Sequence, residues 1–405
     1  MKIQFEREVK ILKNENMVII INDATGLYIK LSSVVFDIVL YASKMQWDSL
    51  QLYEQLYDDE DRDYMVKVID RLKEFELIKS HKKKEEKNNK TVIFEITNKC
   101  NLHCAHCYTS SGPTGEDILT LNEIKKALTN ILKWKPSQIS ISGGEPMIRK
   151  DFIAILKFLH ESYDGRIVLL TNGTLIDKNN VQSLMKYVNE INISVDGIDE
   201  ETCEKVRGKG VFSEVINAVE LLQSYGYREI ALSMISDRFH RKKDLEFEKL
   251  NERLHTTPVI RSFTPEGRGK ENQDLLENDN YYAETPYIYK EDFIPCTCTA
   301  GSEKILIDHR GNIYPCQYFK ENKYLMGNIL TSGVSDVIRN YRISIIQEFF
   351  PHNHEYCSEC SVNTFCWPCP GELKLYSDEA FSEQFDELCN FYKPILKKRI
   401  WEEGV

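Results

Sequence analysis

The stretch TVIFEITNKCNLHCAHCY, residues 91–108, decides the fold predicted for this chain of 405 residues. It begins with an apolar run typical of a buried strand and continues into a loop with three cysteines, Cys100, Cys104 and Cys107. Three thiols are an odd number for a disulfide framework and one fewer than a closed tetrahedral metal site needs. The stretch therefore predicts a strand followed by three metal ligands and one missing ligand.

Strand and helix patterns alternate beyond this stretch, up to about residue 265. Thr120 and Glu123 form a capping-box signature at the first helix. Consecutive βα units predict a parallel sheet, as an open barrel or a doubly wound sheet, with the chemistry at the C-terminal ends of the strands. The strand-like runs are TVIFEI (91–96), ISIS (139–142), RIVLLT (166–171), INISVD (191–196), IALSMIS (230–236) and PVIRSF (258–263).

The first 80 residues are predicted to form a separate, winged-helix-like module, because three short strand-like runs precede three helical patterns. Residues 45–79 hold ten acidic and five basic side chains, so no basic stripe is available for the phosphates of DNA. We expect a module that binds a peptide by strand addition, the alternative being a structural cap. The charged stretch HKKKEEKNNK (81–90) is expected to be a linker.

Composition narrows the function classes further. The net charge of −11 argues against a nucleic-acid or anionic-membrane partner. The N-terminus has no apolar segment typical of a signal peptide, and no run approaches the ~20 apolar residues of a membrane span. We therefore expect a cytoplasmic protein, in which the twelve cysteines are metal ligands or buried thiols rather than disulfides.

Three thiolates around a 4Fe–4S cluster leave one iron without a protein ligand. That iron can take a small bidentate ligand, such as the amino and carboxylate groups of S-adenosylmethionine. The alternatives are a zinc site completed by His103 or His106, and incidental cysteines.

The ordered motifs resemble those of radical SAM enzymes. The C-x3-C-x2-C-aromatic loop is followed by SGGEP (142–146), TNGT (171–174), SVDG (194–197), VRGKG (206–210) and TPEGRG (264–269). The resemblance implies an α/β fold, a partial (β/α)6 TIM-like barrel over 91–269, with a 4Fe–4S cluster on the three cysteines. It also implies S-adenosylmethionine contacts from Tyr108, Gly143, Gly144, Glu145, Asn172, Ser194, Asp196 and Arg207.

An irregular bridge (270–295) is expected before a C-terminal region, 296–405, that holds eight more cysteines; Cys203 is left over as a buried thiol. The spacing resembles the SPASM extension, an irregular domain with two auxiliary clusters. The resemblance implies that Cys298, Cys316 and Cys369 bind the first, and Cys296 either completes it or leaves an open iron. It implies that the second binds Cys357, Cys360, Cys366 and Cys389. A zinc site in this region is the alternative.

The resemblance implies reductive cleavage of S-adenosylmethionine, with electrons from a flavodoxin- or ferredoxin-type donor, and hydrogen abstraction from a substrate. The N-terminal module resembles the PqqD-like element that binds the leader of a ribosomally made precursor peptide. The expected product is an intramolecular cross-link, a cysteine thioether or a carbon–carbon bond. The alternatives are side-chain oxidation of a protein, as in sulfatase maturation, a non-catalytic iron–sulfur scaffold, and a redox-sensing winged-helix regulator. No catalytic acid or base is assigned.

Overall fold

The computed structural model describes residues 2–7, 9–80, 88–236, 241–264, 266–272, 295–367, 369–376 and 382–402. These residues form two compact units. One takes in the described residues of 1–87, 288–298 and 346–405, and the other those of 88–287 and 299–345. Most of the predicted linker 81–90 and of the predicted bridge 270–295 lies outside the described residues.

The second unit is built on a nine-stranded sheet that contains the six predicted strands as parallel neighbours, in the order in which they occur in the chain. The predicted α/β fold with a parallel sheet is therefore confirmed. Adjacent strands pair with regular register, for example Phe94 with Ile141. The six strands are β4 (Thr91–Glu95), β5 (Gln138–Ser142), β6 (Arg166–Thr171), β7 (Glu190–Ser194), β8 (Ile230–Ser236) and β9 (Thr257–Ser262).

Successive side chains of each strand point to opposite faces of the sheet, so one set faces the hydrophobic core and the other faces the site. Val92 and Phe94 of β4 are fully buried in the hydrophobic core, whereas Ile93 between them lines an internal cavity. The core lies between the sheet and the helices that connect its strands, which places the cavity on the other face. The helices are α4 (Leu121–Leu132), α5 (Phe152–Ser162), α6 (Val181–Tyr187), α7 (Glu200–Arg207), α8 (Val211–Ser224) and α9 (Arg241–Leu254).

Three further strands extend this sheet beyond β4. Strand β10 (Lys304–Ile307) pairs parallel to β4, and β11 (Asn312–Tyr314) and β12 (Gly327–Asn328) continue the sheet antiparallel. The physical reason is burial, because Ile305 and Ile307 belong to the same hydrophobic core as β4. The unit also contains α10 (Val334–Asn340), and α11 (Ser344–Gln347) spans the boundary between the two ranges.

The first unit contains the N-terminal module, with three strands and three helices in the predicted order. Its antiparallel sheet has the order β1 (Val9–Asn14), β2 (Met17–Asn22), β3 (Tyr28–Ser32). The helices α1 (Ser33–Lys44), α2 (Ser49–Glu54) and α3 (Asp59–Glu74) bury the apolar side chains of one sheet face in a common core. The unit also holds α12 (Asn363–Cys366), α13 (Pro370–Tyr376) and α14 (Ser382–Lys397). Across the described ranges, we find no helix long and apolar enough to cross a membrane.

Asn22 connects the small sheet to the last helix of the module. Its side-chain amide donates hydrogen bonds to the carbonyl oxygens of Phe75 and Glu76, and its oxygen accepts from the backbone N–H groups of Ala24 and Thr25. The side chain is buried, so these bonds are not replaced by water.

Replacing Asn22 with alanine is expected to lower the free energy of unfolding of the first unit by about 2 kcal/mol, because buried backbone groups lose their partners. Chemical denaturation of the full chain, followed by circular dichroism, measures the change. The matched control is Asn16→Ala, at an exposed turn position. Equal stability of both variants would show that the Asn22 contacts contribute nothing.

Candidate functional site

A cavity of about 550 Å³ runs along the inner face of the parallel strands and includes their C-terminal ends, where the fold predicts the chemistry. The thiols of Cys100, Cys104 and Cys107 line it together. Seven of the eight predicted cofactor contacts also line it; Glu145 does not. The seven are Tyr108, Gly143, Gly144, Asn172, Ser194, Asp196 and Arg207.

The two glycines after β5 hold the start of the cysteine loop, defined as residues 97–112. The backbone N–H of Gly144 donates to the carbonyl of Thr97 at 2.9 Å. A Cβ added to Gly143 would lie 2.5 Å from the Thr97 oxygen, and one added to Gly144 would lie 2.2 Å from the Lys99 oxygen. Only glycine permits this approach. The motif therefore fixes the backbone that leads into Cys100, besides lining the cavity.

The turn after β9 holds the other end of the loop. Arg268 Nε donates to the carbonyl of Cys104 at 2.9 Å, and Nη2 donates to that of Ser111 at 2.7 Å. Its backbone N–H donates to the carbonyl of Cys107. Gly267 has a φ of +57°, and a Cβ there would lie 2.6 Å from the Cys107 oxygen. The TPEGRG segment is therefore a clamp on the cysteine loop.

A buried carboxylate connects the loop to the end of β7. Asp196 accepts hydrogen bonds from Arg207 Nε at 2.7 Å and from the backbone N–H of Ile235, and lies 3.0 Å from His106 Nε2. Burial opposes ionisation of Asp196, but the charge of Arg207 and the bond to His106 outweigh it and lower the pKa. Arg207 also lies 3.9 Å from the Cys104 sulfur. Two predicted cofactor contacts are thus bonded to each other next to a thiol.

Glu145 is hydrogen-bonded to residues at the end of β6 and does not line the cavity. Its fully buried carboxylate accepts hydrogen bonds from the Thr171 hydroxyl and from the backbone N–H groups of Asn172 and Met147. Burial raises the pKa of Glu145, and these bonds partly oppose the shift. Asn172, held in this way, places its amide 3.9 Å from the Cys100 sulfur. The acidic residue of the GGE motif therefore positions the amide of the TNGT motif.

Tyr108 joins the loop to β4 and to the segment after β11. Its hydroxyl donates to the buried carboxylate of Glu95 at 2.5 Å, and Lys320 Nζ lies 2.6 Å from the other carboxylate oxygen. Burial, followed by the charge of Glu95, raises the pKa of Tyr108 well above its ordinary value, so the phenol stays protonated. Lys320 lies four residues after Cys316, a predicted auxiliary ligand. The three side chains fix the aromatic ring at the cavity wall.

The thiols of the cysteine loop are expected to bind a positively charged group, because their burial disfavours the thiolate form. Burial raises the pKa of Cys100 to about 11 and raises that of Cys104 despite the charge of Arg207. Thiolate ligation therefore needs a cation to offset the desolvation. Nowhere in the described ranges do three His, Cys, Asp or Glu side chains converge closely enough to hold one metal ion. A cubane cluster needs no such convergence, because each thiolate binds a different iron. The donor set thus fits a 4Fe–4S cluster, with the polar cavity available for a ligand.

The C-terminal cysteines are distributed over both units. Cys316 lies in the second unit, and the other seven lie in the first. Four of these seven lie close together. Burial, followed by the charges of Cys366, Cys360 and Cys389, raises the pKa of Cys357 to about 12, and such an effect requires short distances between the four thiols. They are the four residues predicted to bind the second auxiliary cluster. Cys203 is fully buried in the barrel core.

Five residues of this site make contacts that the sequence did not indicate: His106, Glu95, Lys320, Arg268 and Arg261. The last of these, Arg261, donates to the side-chain oxygen of Asn192. The partners of the five residues are distant in the chain, and no local pattern marks such pairs. One signal was present, since an arginine inside the apolar run PVIRSF suggests a polar environment on the inner sheet face.

Comparisons with known proteins agree with this geometry. Residues 94–249 match the model of the radical SAM superfamily, and residues 296–361 match that of an iron–sulfur cluster-binding domain, SPASM. The mycofactocin maturase MftC of Mycolicibacterium smegmatis is 29% identical over 267 residues, which cover 60% of this chain and 68% of that one. The antilisterial bacteriocin subtilosin biosynthesis protein AlbA of Bacillus subtilis is 25% identical over 300 residues, 68% of this chain and 66% of that one.

A solved structure shares the fold. Streptococcus suis SuiB, in a crystal with its precursor peptide SuiA, matches with a TM-score of 0.54 and 14% identity. The match covers 93% of this chain and 97% of that chain. Coverage of this extent includes most of the N-terminal module.

Replacing Arg268 with glutamine is expected to release the cysteine loop, because the charge-assisted bonds to two backbone carbonyls are lost. Such bonds contribute about 1.5 kcal/mol or more, so a chelator should remove iron about tenfold faster from the loop. The rate is measured by absorbance of the ferrous chelate under anaerobic conditions. Arg339→Gln, at an exposed helix position, is the control, and an unchanged rate in Arg268→Gln would contradict the clamp.

A double-mutant cycle tests the Glu95–Lys320 pair. Glu95→Gln and Lys320→Met are each expected to destabilise the second unit, and the double variant is expected to recover about 1–3 kcal/mol of the summed loss. The same cycle on Arg166 and Glu190, a more exposed pair, should give a coupling of about 1 kcal/mol or less. Equal couplings in the two cycles would show that burial of the Glu95 pair has no effect.

Proposed function

We propose that this chain, which belongs to the radical SAM superfamily and carries a SPASM domain, matures a ribosomally made precursor peptide by installing an intramolecular cross-link. Two relatives with maturation or bacteriocin-biosynthesis names support a peptide substrate. The observation that carries the proposal is the combination, in one chain, of a three-thiol cavity with a small sheet whose edge strand β1 pairs, among the described residues, only with β2.

The N-terminal sheet offers a binding site for an extended leader peptide. Its order is β1-β2-β3, so β1 lies at one edge, and within the described ranges the backbone of β1 pairs with β2 alone. An extended peptide can add to such an edge through main-chain hydrogen bonds, while side-chain pockets supply specificity. We infer that the leader binds there and keeps the core peptide at a high local concentration.

The residues of the cavity bind and orient the reacting groups. Cys100, Cys104 and Cys107 would hold the cluster, and Arg207 and Ser194 would contact the methionyl end of S-adenosylmethionine. Tyr108, fixed by Glu95, would restrict the position of the ligand at the cavity wall. The bound cluster and S-adenosylmethionine supply radical abstraction of a hydrogen atom from the substrate. The polar walls and the restricted cavity exclude competing reactions with solvent.

We propose that the cross-link is a thioether between a cysteine sulfur and a carbon of another residue. Its formation breaks one S–H and one C–H bond and removes two hydrogen atoms in total. The bound cofactor would take up one of these as a hydrogen atom. The other would leave as a proton, and its electron would pass to auxiliary clusters held by the C-terminal cysteines. A flavodoxin- or ferredoxin-type protein would reduce the first cluster, and we expect the reaction in the cytoplasm, where precursor peptides are made.

The test begins with a search for short cysteine-containing reading frames beside the gene of this chain, and it uses the peptide that such a reading frame encodes. Anaerobic incubation with the reconstituted enzyme, S-adenosylmethionine and dithionite should lower the peptide mass by two hydrogen atoms and remove one alkylatable thiol. A carbon–carbon cross-link would give the same mass but leave the thiol reactive to iodoacetamide. The matched control is the same core peptide without its leader, which should be modified at least tenfold more slowly.

Equal rates with and without the leader would contradict leader recognition by the N-terminal module. No modification of the full-length peptide, despite formation of 5′-deoxyadenosine, would contradict the choice of a peptide substrate.

A further inference from the structure

Arg261 projects from β9 into the same cavity as the predicted cofactor contacts. Its Nη2 donates to the side-chain oxygen of Asn192 on β7 at 3.1 Å, so the side chain reaches past β8. Asn192 lies four residues before Asp196, the carboxylate that binds Arg207. The two guanidinium groups are therefore anchored at different levels along β7.

The charge of Arg261 has no direct counterpart. Within the described part of the chain, the bond to Asn192 is the one hydrogen bond of its side chain, and no carboxylate lies at ion-pair distance from the guanidinium. A guanidinium has five N–H donors, so four are left for water or a ligand. Burial lowers the pKa of Arg261, which shows that the charge is held at a cost, although a guanidinium remains protonated at neutral pH.

Three other charged side chains of the cavity have partners. Arg207 is bonded to Asp196, Glu190 is bonded to Arg166, and Arg268 donates to two backbone carbonyls. Arg261 is thus the guanidinium that faces the cavity with most of its donors available. Ser194, Ser233 and Phe263 line the same cavity as Arg261. Such surroundings strengthen binding of a planar anion by a planar fork of donors.

We propose that Arg261, oriented by Asn192, binds a carboxylate of the peptide substrate and thereby selects an acidic residue, or the C-terminus, for the reaction cavity. The inference rests on the proposed peptide substrate. It makes Arg261 a residue that determines specificity by holding the substrate near the three-thiol loop.

S-adenosylmethionine carries a carboxylate of the same chemistry, so the two sources must be separated. The methionyl end has to lie beside the iron that the cysteine loop leaves open. Arg207 lies 3.9 Å from the Cys104 sulfur and fits that carboxylate. Arg261 is bonded to Asn192, four residues earlier along the chain and so deeper in the barrel than Asp196, a position that fits the carboxylate of a second ligand.

The test uses reconstituted, S-adenosylmethionine-loaded full-length protein and three small probes, with binding followed by saturation-transfer NMR. N-acetylaspartate N-methylamide represents an acidic side chain, N-acetylalanine represents a C-terminus, and N-acetylasparagine N-methylamide is the neutral control. Wild type should bind at least one acidic probe about tenfold more tightly than the neutral probe. Arg261→Gln should lose this preference, whereas Arg253→Gln, at an exposed position of α9, should keep it.

A second variant covers the case in which Arg261→Gln does not fold. Asn192→Asp places a carboxylate next to the guanidinium, which should neutralise it and abolish the preference for acidic probes while leaving the arginine in place. Equilibrium dialysis with S-adenosylmethionine distinguishes the two sources of the carboxylate. Its affinity should be unchanged in both variants, and a tenfold loss in Arg261→Gln or Asn192→Asp would assign Arg261 to the cofactor and overturn the proposal.

The two proposals fail in different ways. Equal binding of acidic and neutral probes by wild type, together with cross-linking of the precursor peptide, would overturn the role of Arg261 alone. Selective binding of an acidic probe without modification of any precursor peptide would support the carboxylate site and contradict the peptide maturase function.

Discussion

The site depends on a loop without regular structure that must hold three buried thiols in fixed positions. A loop of this kind cannot satisfy its own backbone groups, so they must be bonded from outside. Gly144 after β5, Val206 in the last turn of α7 and Arg268 after β9 meet this need, each through a hydrogen bond to the loop backbone. The parallel sheet brings these segments together, and this is why the cavity forms where it does.

The buried carboxylates of the site also depend on contacts with the cysteine loop. Asp196 and Glu95 are both nearly inaccessible to solvent, and each is bonded to a cation and to a residue of the cysteine loop. Removing either cation would leave an uncompensated carboxylate, which costs more than the pair contributes. The pairs thus specify one arrangement of the loop rather than add much stability. Arg261 departs from this pattern, and that departure is the basis for assigning it to the substrate.

Local patterns predicted much of the fold from the sequence. The six strands of the parallel sheet lie within one or two residues of the predicted runs, because each run is apolar and is bounded by polar turns. The Thr120–Glu123 capping box is present for the same reason. The position of β10 was missed, because its four residues acquire their environment only by pairing with a strand more than 200 residues earlier.

The sequence predicted the motifs that form the site, but it did not predict the hydrogen bonds that connect them. The three cysteines and seven of the eight cofactor candidates meet at one cavity. Glu145 and Arg268 show what spacing alone does not reveal. Glu145 belongs to a motif but acts through Asn172, and Arg268 follows a glycine-rich turn but holds the cysteine loop. Such roles depend on contacts between side chains and residues that are distant in the chain, and the periodicity of apolar residues does not predict these contacts.

The most direct test of the account is iron and sulfide content of anaerobically reconstituted protein, for wild type and for the variant in which Cys100, Cys104 and Cys107 are replaced by alanine. The account predicts that the variant loses about four irons per chain and no longer binds S-adenosylmethionine, while the C-terminal clusters remain. Equal iron content in the two proteins, or zinc in place of iron in the wild type, would contradict it.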